Sequence, residues 1–308
     1  MFKHAYLIVS NGNFGVVETC LKMIDDKRND VYLLLDLKAQ ISDEQKQRYR
    51  QCVKTSKISI CEKKVNWGGY SQISAVLTLM QMAMDSGEIY SYFHFLQGSD
   101  MPIRTQNAIH AFFEKNNGKE FVQIERSRER LAQKKGWYRH FFCHNRFFRK
   151  NRIVKLFNFS LVEIQRILKI RKNTDIELYQ GSALFSVTGN CVKYILLKKK
   201  EIYRRFRYAL AADEVFMQTM LMASPFKSAI YDVECKNSEN ARLIDRTRPD
   251  GKNSPHIWRY EDLDTILQAP DTKMFARKFD ERTDFRIVET IFNEVCYCEQ
   301  TDGSRRAE

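Results

Sequence analysis

The sequence contains no run of ~18 consecutive apolar residues, so no membrane-spanning helix is expected. Its opening, MFKHAYLIVS, enters an apolar stretch within a few residues and has no cleavage-site pattern after it. It reads as a first core strand rather than a signal peptide, and a soluble, cytoplasmic protein is the resulting expectation. The eight cysteines (Cys20, Cys52, Cys61, Cys143, Cys191, Cys235, Cys296 and Cys298) include no CxxC pair. The CxC at 296–298 is too little for a zinc site, and free thiols are expected. Walker A, GxGxxG, HExxH and GxS-elbow sequences are all missing, and the six histidines are dispersed without metal-ligand spacing. The common phosphate loops and the common hydrolase and metalloprotease signatures are thereby excluded. With five prolines, twelve glycines and no internal repeat, no flexible inter-domain hinge is evident.

What is present is charge and a core. The net charge of +13 favours anionic partners such as nucleotides, sugar phosphates, nucleic acid or an acidic membrane, without choosing among them. An apolar fraction of 44% over 308 residues is enough for one large α/β domain or two small ones.

AYLIVS (5–10), VYLLLDL (31–37), a short stretch at 57–60 and YSYFHFLQ (90–97) read as strands. Amphipathic segments at 16–23 and after Tyr70 read as helices between them. This alternation over the first ~115 residues predicts a parallel sheet covered by helices, with ligands beyond the C-terminal strand ends. Ser10, Asn11, Asp36, Ser99 and Asp100 stand at those ends; ordinary turn chemistry would also place Ser, Asn and Asp there. Residues 126–153 are basic and interleaved with Trp137, Tyr138, Phe141, Phe142, Phe147 and Phe148. A solvated helix face, an anionic membrane, a glycan acceptor and a nucleic acid all remain open for it, with no nucleic-acid fold signature beside it. The only Asp-x-Asp spacing, Asp262–Asp264, opens a helix-like segment and reads as an N-terminal cap. The tail, EQTDGSRRAE, is expected to fray.

Five further segments occur in order: Trp67-Gly68-Gly69-Tyr70, FHFLQGSDMPI (93–103), GSALFSVT (181–188), Asp213-Glu214 in DEVFMQTM, and FARKFD (275–280). In this order they resemble the core-2/I-branching β-1,6-N-acetylglucosaminyltransferases and the peptide O-xylosyltransferases, over about residues 4 to 282. The resemblance implies an inverting glycosyltransferase with a GT-A-type α/β fold: a mostly parallel central sheet flanked by helices. It implies a single domain, with 1–115 as the nucleotide-binding half, 116–290 as the acceptor side and diphosphate-binding return, and 291–308 as a tail. The donor is expected to be a UDP-sugar, GlcNAc first and either xylose or a hexose as the rival, with no metal or other cofactor. Without a metal, basic side chains must meet the charge on the departing diphosphate.

By this resemblance Glu214 is the catalytic base, taking the acceptor's proton as the new bond forms; a helix N-terminal acid is the other reading of Glu214, although Asp213 could be that cap while Glu214 points into the cleft. Lys278, and more weakly Arg277, would meet the diphosphate. Ser10, Asn11 and Asp36 would contact the nucleoside, Trp67 and Gly68 would pass the donor, and Ser99 and Asp100 would lie under the sugar. Asp100 could equally pin the turn before Pro102. There are departures from the family pattern. No arginine falls cleanly at the family's second diphosphate position, where Lys252 or Arg259 would have to substitute. The family's aromatic acceptor platform is replaced near Arg246. The chain looks like a bacterial-type soluble member whose acceptor is a surface polysaccharide or lipid-linked oligosaccharide precursor, with peripheral contact to an anionic membrane and no nucleic-acid partner. A non-catalytic glycan- or nucleic-acid-binding protein on the same scaffold is the alternative from another class.

Overall fold

The first two strands have continuous apolar centres, Ala5–Val9 and Val31–Leu35, as strands of a parallel sheet covered on both faces must have. In the computed structural model, β1 (His4–Ser10) and β2 (Asn29–Asp36) are buried almost throughout. The structure describes residues 2–125, 140, 151–234, 238–248, 250 and 254–305, with side chains described as far as residue 296. Most of the basic–aromatic run, residues 126–139 and 141–150, therefore lies outside the described residues, as do Lys252, Cys143 and Cys235.

After β1 and β2, with α1 (Phe14–Met23) between them, come α2 (Asp43–Cys52), β3 (Lys57–Lys63), α3 (Ser71–Asp85), β4 (Tyr92–Gln97), β5 (Asp100–Pro102), α4 (Gln106–Lys115) and β6 (Phe121–Val122). The second half holds α5 (Arg152–Ile167), β7 (Phe185–Thr188), α6 (Gly189–Leu197), α7 (Lys199–Phe206), α8 (Phe216–Met222), β8 (Arg242–Ile244), α9 (Leu263–Leu267), β9 (Phe275–Arg277) and α10 (Arg286–Arg305). The chain packs as two compact units. One comprises residues 1–63, 86–118 and 241–308, the other residues 64–85 and 119–240.

In the first unit β3, β2, β1 and β4 pair in that order, all parallel. The register sets Ser10 opposite Leu35 and Val9 opposite Gln97, so the polar strand ends fall level. The edge strand β3 carries Lys57 and Lys63, charges that protect an open edge. A smaller sheet, β5-β9-β8, pairs Asp100 with Arg277 and Ile244 with Arg277. Helix α1 packs against α2, β5 and α10. The α/β class, the parallel sheet and the helix following Tyr70 match the sequence reading. The tail does not: with no proline and only Gly303 late in the segment, α10 continues to Arg305. In the second unit β6 and β7 pair antiparallel, and α3 packs on α6. Thr188 ends β7 and caps α6 by accepting from the Cys191 amide at 3.2 Å. Cys20, Cys52, Cys61, Cys191 and Cys296 are free thiols, as expected.

Among the described residues no helix is long and apolar enough to cross a membrane.

Candidate active site

Two clusters hold the residues singled out in the sequence. The first lies where β1, β4 and the FARKFD segment end. Its organising residue, Asn13, was missed in the sequence. Asn13 sits in the left-handed region (φ 60°), which Asn tolerates better than most residues. Its Nδ2 donates to the carbonyls of Gly98 and Phe279, both at 3.0 Å, and its Oδ1 accepts from the Glu281 amide at 2.9 Å. One side chain thus ties the β1–α1 loop, the Gly98-Ser99-Asp100 turn and the end of FARKFD together. A single Asn in a loop carries no local periodicity that would have flagged it. Glu281 completes the junction by accepting from the amides of Phe14 and Gly15, an acid on the positive end of α1.

Within this cluster Ser99, Asp100 and Arg277 come together. Arg277 Nη1 donates to Asp100 Oδ1 at 2.6 Å and to Ser99 Oγ at 2.8 Å. Asp100 is buried, and its other oxygen accepts from the Gln97 amide at 2.7 Å. The carboxylate therefore pins the turn before Pro102, one of its two anticipated roles, and the guanidinium is committed to it. Lys278 is half-buried, and its carbonyl accepts from the Trp258 amide at 2.9 Å. Among the described residues its ammonium makes no ion pair, so of the two adjacent cations it is Lys278 that can meet an added anion. Ser10 is fully buried and donates to the Gly12 carbonyl at 3.0 Å, whereas Asn11 beside it is exposed. Asp36 ends β2, accepts from the Lys38 amide at 3.1 Å and pairs with Lys38 Nζ at 3.3 Å. Arg259 is engaged by Asp250 through both terminal nitrogens, at 2.7 and 3.2 Å.

The second cluster joins Trp67-Gly68 to Asp213-Glu214. Gly68 lies at φ 73° and its carbonyl accepts from the Ala211 amide at 2.9 Å. Its own N–H donates to Gln72 Oε1, and Gln72 Nε2 donates to Asp213 Oδ2 at 2.9 Å. Asp213 and Glu214 lie in a 3-10 turn, Ala212–Glu214, ahead of α8. Asp213 is therefore not the α8 cap that the sequence suggested as an alternative. The N-cap position is Val215, which makes no side-chain cap, and the Asp213 carboxylate receives the Gln72 amide instead. Glu214 is half-buried, and its carbonyl accepts from the Gly181 N–H at 2.9 Å. A Cβ on Gly181 would stand 1.7 Å from the Gln123 carbonyl oxygen, which accounts for the glycine that opens GSALFSVT. Gln218 and Thr219 of the DEVFMQTM segment fix the same region, Gln218 Nε2 donating to the Ser182 carbonyl at 2.6 Å and Thr219 Oγ1 accepting from the Tyr179 amide at 3.1 Å. Trp67 is half exposed.

The Asp262–Asp264 pair does not form a site. The buried Asp262 carboxylate accepts from the Arg259 amide at 3.0 Å, from His256 Nε2 at 2.8 Å and from Arg248 Nη1 at 2.9 Å, bracing the turn ahead of α9. Among the described residues no group of three His, Cys, Asp or Glu side chains has metal-binding geometry.

The family model described as "Branch: Core-2/I-Branching enzyme" matches residues 4–266. Similar curated proteins include xylosyltransferase 2 of Mus musculus, 22% identical over 93% of this chain and 33% of its own length. Xylosyltransferase 1 of Mus musculus is 22% identical over 92% of this chain and 30% of its own length. The chain thus spans about a third of the length of the curated relatives it matches. Among solved structures, mouse xyloside xylosyltransferase 1 in its apo form aligns with a TM-score of 0.40 at 10% identity, covering 90% of this chain and 97% of that one.

Proposed function

The chain belongs to the Core-2/I-branching enzyme family, and on that premise we propose that it is an inverting glycosyltransferase moving a sugar from a UDP-sugar to a glycan hydroxyl on a GT-A-type fold. The observation that carries the reading is the convergence of two separate sequence segments on the Asp213-Glu214 turn: the Gly181 amide holds the Glu214 carbonyl, and the Gln72 bridge holds its neighbour Asp213 against Gly68. Such bracing is what a base needs, since general-base catalysis depends on a carboxylate held within hydrogen-bond reach of the hydroxyl. Glu214 takes the acceptor proton while the hydroxyl oxygen bonds to the anomeric carbon and the bond to the diphosphate breaks. UDP leaves on the opposite face. Lys278 meets the charge on the diphosphate, and no metal is required in this scheme. Asp36, Asn11 and Ser10 mark the nucleoside end, with Ser10 acting through the backbone it fixes. Trp67 and Gly68 pass the donor and Ser99 lies under the sugar in this scheme, while the buried Asp100 carboxylate acts only by pinning the turn that carries Ser99.

Two donors are proposed. GlcNAc follows the branching-enzyme motifs; xylose is favoured by the names of the similar curated proteins. The acceptor is a surface polysaccharide or a lipid-linked oligosaccharide precursor.

The test is UDP release from a panel of UDP-sugars, with and without EDTA, comparing wild type with Glu214→Gln. Release from one donor that survives EDTA and falls by roughly 10²-fold or more in the mutant is expected. Abolition by EDTA would overturn the metal-free scheme. Unchanged release in Glu214→Gln would remove Glu214 as base. No donor binding by calorimetry would favour a non-catalytic glycan-binding protein.

A further inference from the structure

Helix α5 is amphipathic the wrong way round for a water-soluble helix. Its inward face carries polar groups: Asn158 and Gln165 are buried. Gln165 is fully used there, accepting from the His140 amide at 2.7 Å and donating to the His140 and Leu161 carbonyls at 2.9 and 3.0 Å. Its outward face is apolar apart from Ser160. Ile153 and Ile167 are 77% and 74% exposed, and Leu156, Phe157, Ile164 and Leu168 are each more than half exposed. At ~100° per residue these six side chains fall on one arc of roughly 120°, the width of a face that packs against something apolar. Single exposed leucines need no explanation, but an aligned row over four turns does.

The charges beside this row say what it packs against. Residues 152–171 hold Arg152, Lys155, Arg166, Lys169 and Arg171, all exposed, against a single acid, Glu163. That acid is paired with Arg166 at 2.9 Å. On a helical projection Arg152, Lys155 and Arg166 gather along one border of the apolar arc, about 100–160° from its centre. Their aliphatic stems can lie along the apolar surface while the charged ends reach outward. A second copy docked face to face would set cation against cation. An anionic bilayer accepts both features, the apolar row entering the acyl boundary and the cations meeting lipid phosphates.

We infer that α5 is a membrane-docking helix that lies in the plane of an anionic phospholipid surface with Ile153, Leu156, Ile164 and Ile167 immersed. Docking of this kind would bring the chain to a lipid-borne acceptor, but it stands whether or not the transferase reading holds, because lipid binding is read without donor or acceptor.

The test is flotation of the full chain with phosphatidylcholine vesicles, with and without phosphatidylglycerol. Wild type should float with the anionic vesicles, weaken as salt rises, and stay behind with phosphatidylcholine alone. The variant Ile153→Gln/Leu156→Gln/Ile164→Gln/Ile167→Gln should lose more than about tenfold in partitioning, with its circular dichroism and thermal midpoint unchanged. A second variant, Arg152→Gln/Lys155→Gln, should lose the preference for anionic lipid while keeping the helix. Absence of wild-type flotation at low salt, or equal flotation of the four-glutamine variant, overturns the inference. Equal binding to both vesicle types overturns its anionic part. A concentration-dependent dimer that the apolar variant abolishes, with no vesicle binding, would assign the face to a second copy instead.

Discussion

Gln72 donates to Asp213 Oδ2 at 2.9 Å, while the other end of the same amide accepts from the Gly68 N–H. It is a positioning residue for the turn that carries Glu214, reached from the first turn of α3. Replacing it with Ala removes both bonds at once and loosens the turn that carries Glu214. UDP-sugar turnover should fall roughly tenfold or more, a loss set by displaced geometry rather than by lost chemistry. The fall should appear in kcat with KM for the donor nearly unchanged. Steady-state kinetics checks this, and an equal change in both parameters would reduce Gln72 to a structural residue.

Gly181→Ala should destabilise the fold by roughly 3 kcal/mol or more, because the added methyl would sit 1.7 Å from the Gln123 carbonyl oxygen and backbone must move to admit it. The shift displaces the amide that holds the Glu214 carbonyl, so any protein that does fold should be slow as well as labile. A urea titration gives the first effect and UDP release the second.

How much of this could be read from the sequence differs from feature to feature. β1 and β2 were legible because their burial is continuous and apolar runs report it directly. α3 was legible because its apolar residues recur at helical spacing. The small β5-β9-β8 sheet was not, since three-residue strands from distant segments leave no period to detect. The ion pair of Asp100 with Arg277 joins residues far apart in the chain, and nothing local to FARKFD reveals that its arginine faces inward while Lys278 remains available. Asn13 and Gln72 were invisible for the same reason: their roles lie wholly in long-range hydrogen bonds. The inverted polarity of α5 needs burial to be known, because the sequence does not say which face of the helix turns inward.

Arg277 and Lys278 are neighbours with opposite expected phenotypes. Arg277→Ala leaves the buried Asp100 carboxylate without its cation, and breaking such a pair costs roughly 3 kcal/mol. Denaturant midpoints should therefore fall sharply in Arg277→Ala. Lys278→Ala should leave the midpoint unchanged and weaken UDP binding by calorimetry, with Lys278→Arg recovering part of it. A stable Arg277→Ala variant that fails to bind UDP would reverse the two assignments.

Two buried groups set opposing pH dependences of stability. His4, His94 and His110 cluster in the first unit, His4 Nδ1 lying 3.1 Å from His94 Nε2 and stacking on His110 at 4.0 Å between ring centres. Burial holds His4 and His94 well below the usual imidazole range and lowers His110 to about 4, with neighbouring rings and cations adding to the effect. The unfolded chain takes up protons on these rings below about pH 6.5 while the folded chain does not, so stability falls as pH drops through 6.5 toward 4. Glu120 acts the other way. Burial pushes its carboxyl up to about 7 despite bonds from the Thr188 amide at 2.8 Å and hydroxyl at 2.6 Å. Between pH 4.5 and 7 the folded state holds the proton and the unfolded state releases it, so this contribution is present below 4.5 and is lost as pH rises to 7. Glu120→Gln keeps the amide-compatible shape and removes the titration. Thermal midpoints of the variant should therefore rise more steeply with pH between about 5 and 7 than those of wild type, because the three rings then act unopposed. Substituting His110 by Asn should lessen the acid-side loss by one ring's share, with His4 and His94 still contributing, and leave the Glu120 contribution in place. A variant lacking Glu120 with the wild-type slope above pH 5.5 would show that the proton taken up on folding sits elsewhere.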